Sequence, residues 1–135
     1  MGNSSIMPTM LYRNAPEAIA WLSRAFGFEK HLVVPGQGGT IAHAELVLGN
    51  GMIMLGSARD GDTWGELVKP PRDRGGATGA VYVVVPDADA HHARATAAGA
   101  EVVEPLSDKA HGGRGYGCRD LEGHVWSFGT FDPWK

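Results

Sequence analysis

Apolar and polar positions along the chain change period several times, and each change marks an element. Residues 6–13 read as a strand. Asn14 then offers a helix N-cap, with Glu17 three residues on as in a capping box and Pro16 in the first turn, where its missing N–H costs little. Ala15, Ala18, Ile19, Leu22, Ala25 and Phe26 recur at helical spacing and form one apolar stripe, which Gly27 terminates. Residues 28–34 read as a strand, 35–39 as a turn and 40–48 as a strand. Asn50-Gly51 reads as a hairpin turn and 52–58 as the returning strand. The order is β-α-β-β-β. Residues 59–78 carry no periodicity and read as a long linker. The order then repeats. There is a strand at 79–85, an Asp87 N-cap and an Ala-rich helix at 89–98 closed by Gly99. Strands follow at 100–105, 114–119 and 124–130, the last two joined through Leu121-Glu122-Gly123.

The halves align without a gap at an offset of 72. Ala18 meets Ala90, Ala25 meets Ala97, Gly27 meets Gly99, Glu29 meets Glu101 and Gly51 meets Gly123. Both helix stops and both hairpin glycines fall in register, so duplication of one module is the reading. The expectation is an α+β fold of two tandem βαβββ modules within a single domain of residues 1–135: module one at 6–58, the linker at 59–78 and module two at 79–130.

Local sequence agrees with a known pattern. Ala25-Phe26-Gly27-Phe28-Glu29, His43-Ala44-Glu45-Leu46 and Ala97-Ala98-Gly99-Ala100-Glu101-Val102 each resemble motifs of the glyoxalase/bleomycin-resistance/dioxygenase (vicinal oxygen chelate) superfamily, in its PhnB-like glyoxalase-related branch. Arg114 through Thr130 resembles the family's R-x-x-x-x-x-D-P-x-G-H-x-W close, with Leu121 where the pattern prefers proline. The resemblance spans nearly the whole chain. It implies a curved mixed sheet whose concave face lines a cleft, helices on the other face, and a homodimer. Whether the modules pair within one chain or between two stays open. The resemblance speaks to fold more than to function, because the superfamily hosts isomerases, dioxygenases, thiol transferases and antibiotic binders.

Metal-dependent members place ligands on the first and fourth strand of each module. Carried onto this chain those positions are Pro8, Leu55, Ala80 and Ser127, which do not make a set of imidazole and carboxylate donors. The resemblance therefore implies a metal-free, cofactor-free small-molecule binder, holding a hydrophobic or aromatic compound in the manner of the bleomycin-resistance-type proteins. Strand alternation from these anchors puts Met10, Tyr12, Ile53, Leu55, Tyr82 and Ser127 on the cleft lining. In the other reading, Tyr12 and Tyr82 fill the core. Arg114 either pairs with Asp120 or meets an anionic ligand, and Trp64 in the linker either covers the cleft or buries itself in a dimer partner. His111 lies in a loop near the cleft mouth. The alternative function is a lyase or isomerase. His43 and Glu45, two apart on one strand and so on one face, would act with Tyr82 as acid–base groups, or hold an atypical metal. His91 and His92 read as a surface pair on the second helix.

Charge and composition remove other classes. The net charge is -3 with no basic stripe, which argues against nucleic acid. No apolar run approaches the roughly 20 residues a membrane helix needs, and the polar start lacks the core of a signal peptide. The single cysteine, Cys118, leaves no internal disulfide and fits a cytoplasmic protein.

Overall fold

The structure, a computed structural model, describes residues 2–135. Its first half comprises β1 (Thr9–Tyr12), α1 (Ala15–Phe26), β2 (Glu29–Pro35), β3 (Ile41–Leu48) and β4 (Gly51–Ser57). A short helix α2 (Thr63–Leu67) and a 3₁₀ turn at Pro71–Asp73 follow. The second half comprises β5 (Ala80–Val84), α3 (Ala88–Ala97), β6 (Glu101–Asp108), β7 (Arg114–Arg119) and β8 (Val125–Gly129). The strands form two separate four-stranded sheets, ordered β1-β4-β3-β2 and β5-β8-β7-β6. In each, the first and fourth strands run parallel and the remaining neighbours antiparallel. The duplicated topology anticipated above is thus present.

Capping sets the ends of α1. The Asn14 side chain accepts the N–H of Glu17 at 3.2 Å, and Gly27 closes the helix with φ 92°, a left-handed geometry that favours glycine. The second module reinforces both ends. Glu122 accepts the N–H groups of Arg13 and Asn14 at 2.5 and 2.8 Å. Arg94 donates to the carbonyls of Arg24 and Ser23 at 3.0 and 3.1 Å, placing a cation where the helix carbonyls are unpaired. The buried face of α1 is wider than its sequence stripe, because Trp21 is also buried and its indole N–H donates to the Ala98 carbonyl at 2.7 Å.

The core sits on the helix side of both sheets and joins them. Phe26, at the end of α1, packs its ring 4.6 Å from Phe128, 5.2 Å from Trp126 and 5.0 Å from Trp21. Below it, Asp120 is 3% exposed and fully bonded. One carboxylate oxygen accepts the Tyr12 hydroxyl at 2.7 Å and the Trp126 indole at 3.0 Å; the other accepts the N–H groups of Glu122 and His124 at 3.0 and 3.1 Å. Burial first, and then the neighbouring Asp120, holds the Tyr12 hydroxyl well above its ordinary pKa, so it stays a donor.

His91 departs from its surface reading. Half-buried, it stacks 4.1 Å from Phe128, donates from Nε2 to the Phe26 carbonyl at 3.1 Å and accepts the Tyr116 hydroxyl at Nδ1, 2.6 Å away. The carbonyl can only accept, so the neutral Nε2–H tautomer fits both partners. Desolvation by burial lowers its pKa, with Arg94 adding to the effect against the opposing bond to Phe26. The unfolded chain therefore takes up this proton more readily than the folded one. Stability contributed here is complete above about 6.5 and is lost as pH falls through the lowered folded value. Thermal midpoints measured across this range are expected to drop with acid, and less steeply in His91→Gln.

The linker, read from sequence only as a stretch without periodicity, is ordered. Asp62 caps α2 by accepting the N–H of Gly65 at 2.7 Å, and Pro70 and Pro71 are buried. Arg13 pairs with Asp73 and Asp60, and Lys69 with Asp60 at 3.2 Å. Long-range pairs and caps order such a segment without leaving a period in its sequence.

Candidate functional site

Each sheet has one face on the core and one open. On the second sheet the open face carries Ala80, Tyr82 and Val84 from β5 and Val125, Ser127 and Gly129 from β8, whereas Trp126 and Phe128 point to the core. This follows from strand alternation as anticipated. On the first sheet the anticipated face is reversed. Met10, Tyr12, Ile53 and Leu55 lie in the core, not on an open face. The hairpins explain the reversal on β4; on β1 the slip comes earlier, because the N-caps Asn14 and Asp87 are 73 apart whereas the helix stops Gly27 and Gly99 are 72 apart. Leu48 pairs with Gly51 across a two-residue turn, Gly49-Asn50, while Arg119 pairs with Val125 across five residues. Gly49 takes φ 60°, as the first central residue of a II′ turn requires, so the turn lies one residue earlier than Asn50-Gly51. Loops differing by an odd number cannot keep one gapless offset on one face, and a slip of one residue turns every side chain over.

A cavity of about 200 Å³ opens on the second sheet's free face, lined by Tyr82, Ser127 and Arg114 with Glu104, Lys109, His111 and Phe131 among others. Tyr82 is 42% and Val84 45% exposed, large apolar surfaces on an edge strand. The Tyr82 hydroxyl donates to the Phe131 carbonyl at 2.6 Å. Its ring crosses Gly129, where a Cβ would lie 2.8 Å from the hydroxyl oxygen. Burial, followed by nearby Asp132, raises its pKa, which suits it to donate a bond and not to act as a base. Arg114 pairs with Asp89 at 3.1 Å and Asp108 at 3.3 Å, not with Asp120. His111 stands edge-on to Phe131 at 4.8 Å. Phe131, Lys109 and Glu104 escaped sequence reasoning; they come from segments beside β8 and β6 that only the fold brings to β5.

His43 and Glu45 lie on β3, in the first sheet, and line neither this cavity nor a second one described below. His43 Nε2 and Glu45 Oε2 are 2.8 Å apart, and His31 Nε2 stands 3.9 Å from the other carboxylate oxygen. His31 falls at a register shift between β2 and β3, where a bulge re-aims its side chain. Trp64 sits on α2, 48% exposed, and lines neither cavity.

By alternation the positions of the first and fourth strands that face away from the core are Thr9, buried Leu11, Met54 and buried Gly56 in one sheet and Ala80, Tyr82, Val125 and Ser127 in the other. Hydroxyls and a thioether do not fit a divalent metal that prefers imidazole, thiolate or carboxylate. Among the described residues no three His, Cys, Asp or Glu are grouped so that they could hold a metal ion.

Comparison with known proteins agrees with the duplicated fold. The model of the Glyoxalase/Bleomycin resistance protein/Dioxygenase superfamily matches residues 6–128. The crystal structure of TioX from Micromonospora sp. ML1 is 40% identical, covers 93% of this chain and 94% of its own, and superposes with a TM-score of 0.72. An uncharacterized Mycobacterium bovis protein, Mb0911c, is 32% identical over 125 residues, 93% of this chain and 82% of that one. The fosfomycin resistance protein FosX from Mesorhizobium loti, 12% identical, covers 99% of this chain and 97% of its own with a TM-score of 0.67, a likeness of fold alone.

Proposed function

We propose, from the premise that the chain belongs to the Glyoxalase/Bleomycin resistance protein/Dioxygenase superfamily, that it binds a small hydrophobic or aromatic molecule on the open face of the second sheet. In this reading it works as a homodimer, without a cofactor and without a metal at the family's usual positions. The observation that carries the reading is the pairing of exposed Tyr82 and Val84 with the cavity lined by Ser127 and Arg114. An apolar face with a few polar groups at its rim suits a small apolar ligand with polar fixing points. Supporting the dimer are the exposed apolar residues of edge strand β2, Leu32, Val33 and Val34, which a second copy would cover. No helix among the described residues is long and apolar enough to cross a membrane. Burial pushes the Cys118 thiol up to about 12, which makes it inert; as the single cysteine it leaves no internal disulfide, which suits the cytoplasm as the working compartment.

Titration with a panel of aromatic fragments, followed by amide NMR, is expected to shift Gly115, Ser127 and Gly129. Tyr82→Ala should weaken the bound fragment about tenfold, the loss of one aromatic contact of about 1.4 kcal/mol. Shifts confined to other surfaces overturn the reading. Sedimentation should give twice 14.3 kDa. Plasma mass spectrometry after reconstitution with zinc, nickel, iron and manganese should find far less than one metal per chain; stoichiometric metal overturns that part.

A second reading rests on the His43–Glu45 contact, with His31 beside it. It is a lyase or isomerase in which Glu45 orients His43 as a general base. Tyr82 does not join them, since it lines a cavity of the other sheet and its hydroxyl is already committed to Phe131. Turnover that vanishes in His43→Gln and survives Tyr82→Phe would favour this reading.

A further inference from the structure

A second cavity, about 490 Å³, opens beside the first. Val125 lines it, while Ser127 and Gly129 line the first. These are alternate residues of one strand, so the two cavities are successive stretches of one face, about 7 Å apart per pair of residues. Two guanidinium groups, Arg72 and Arg119, stand in this second stretch among Pro71, Gly75, Gly76 and Val125, and no carboxylate lines it. Arg119 is paired with Glu101 beside this stretch, while Arg72 makes no ion pair among the described residues and leaves its positive charge uncompensated in a chain of net charge -3.

Both arginines are held yet keep donors to spare. Arg72 bonds the Leu121 carbonyl at 2.7 Å through Nη1, and Arg119 bonds Glu101 at 2.8 Å through Nη1. A guanidinium has five N–H groups, so each has others for a ligand. The stem of Arg72 lies over Gly123, where a Cβ would come within 3.2 Å of its Cγ and where φ is +92°. The hairpin glycine thus serves twice: it turns the chain, and it leaves room for Arg72 to lie across the turn. Buried Pro71 anchors the other side.

We infer that the ligand of this face carries an oxyanion, a carboxylate or a phosphate, seated between Arg72 and Arg119, with its apolar body along Ser127 and Tyr82. A forked guanidinium matches such a group bidentately, and two of them favour an acid over a neutral isostere. The inference rests on the reading of this face as a ligand site.

The test compares three probes of one shape: 2-naphthoate, 2-naphthyl phosphate and the neutral 2-naphthamide. Each is titrated into the full chain by calorimetry, with amide NMR to place it. At least one acid is expected to bind about tenfold more tightly than the amide, and the preferred acid identifies the oxyanion. Arg119→Gln and Arg72→Gln should each remove most of that preference, the acids losing several-fold more affinity than the amide. Arg119→Lys should restore part of it. Thermal midpoints equal to that of the parent show that both variants are folded. Equal binding of all three probes, or a preference that persists in both variants, overturns the oxyanion site and leaves the ligand face standing. No perturbation of the second sheet's open face by any probe overturns both.

Discussion

Asp120→Ala is expected to destabilise the protein by about 3–5 kcal/mol, because it removes four acceptor contacts at once from a site that water cannot reach. Tyr12 and Trp126 would be left with buried donors, and the N–H groups of Glu122 and His124 would lose the partner that shapes the β7–β8 turn. The carboxylate is also a bridge, since Tyr12 belongs to β1 of the first half while Asp120 and Trp126 belong to the second. Against a total of roughly 5–15 kcal/mol for an ordinary domain the loss is severe. Urea unfolding followed by tryptophan fluorescence measures it. Asp120→Asn should be milder, since its amide oxygen still accepts two of the four donors. A loss under about 1 kcal/mol for alanine would show that the turn rearranges and that the network does not hold the halves together.

Phe26→Ala carries a cost of similar size, about 3–5 kcal/mol, for another reason. Its ring fills the junction between α1 and the second sheet, in contact with Trp21, Trp126 and Phe128 and stacked near His91 at 6.0 Å. Alanine leaves a void walled by large aromatic rings that cannot collapse into it, and the lost area and the residual cavity add. Phe26→Leu fills part of the space and should cost less. Near-ultraviolet circular dichroism should lose intensity in the alanine variant before global unfolding. An unchanged spectrum with unchanged stability would place the junction elsewhere.

The duplication, the order of elements along the chain and the ends of α1 were legible because each depends on near neighbours. The Asn14 cap, the left-handed Gly27 and the apolar stripe all act within one turn of helix. The open face of β8 was legible as well, once Trp126 and Phe128 were assigned to the core. The corresponding face of the first sheet was not. Met10, Tyr12, Ile53 and Leu55 were assigned by an offset that holds at both helix stops but slips by one residue before them, between the N-caps Asn14 and Asp87, and again across the two hairpins. Alternation has a period of two, so that single residue exchanged core for surface.

Local chemistry along the chain, then, determined two βαβββ modules and the apolar sides of their helices, because caps, turns and periodicity act over a few residues. Tertiary structure alone decided which faces stay open and which charges meet. It drew Arg114 to Asp89 and Asp108, seated His91 between Phe26 and Tyr116, ordered the linker and brought Arg72 across Gly123 to the face of Arg119. Those pairings join residues far apart in the chain, and their formation depends on burial and on register, which no short window of sequence contains.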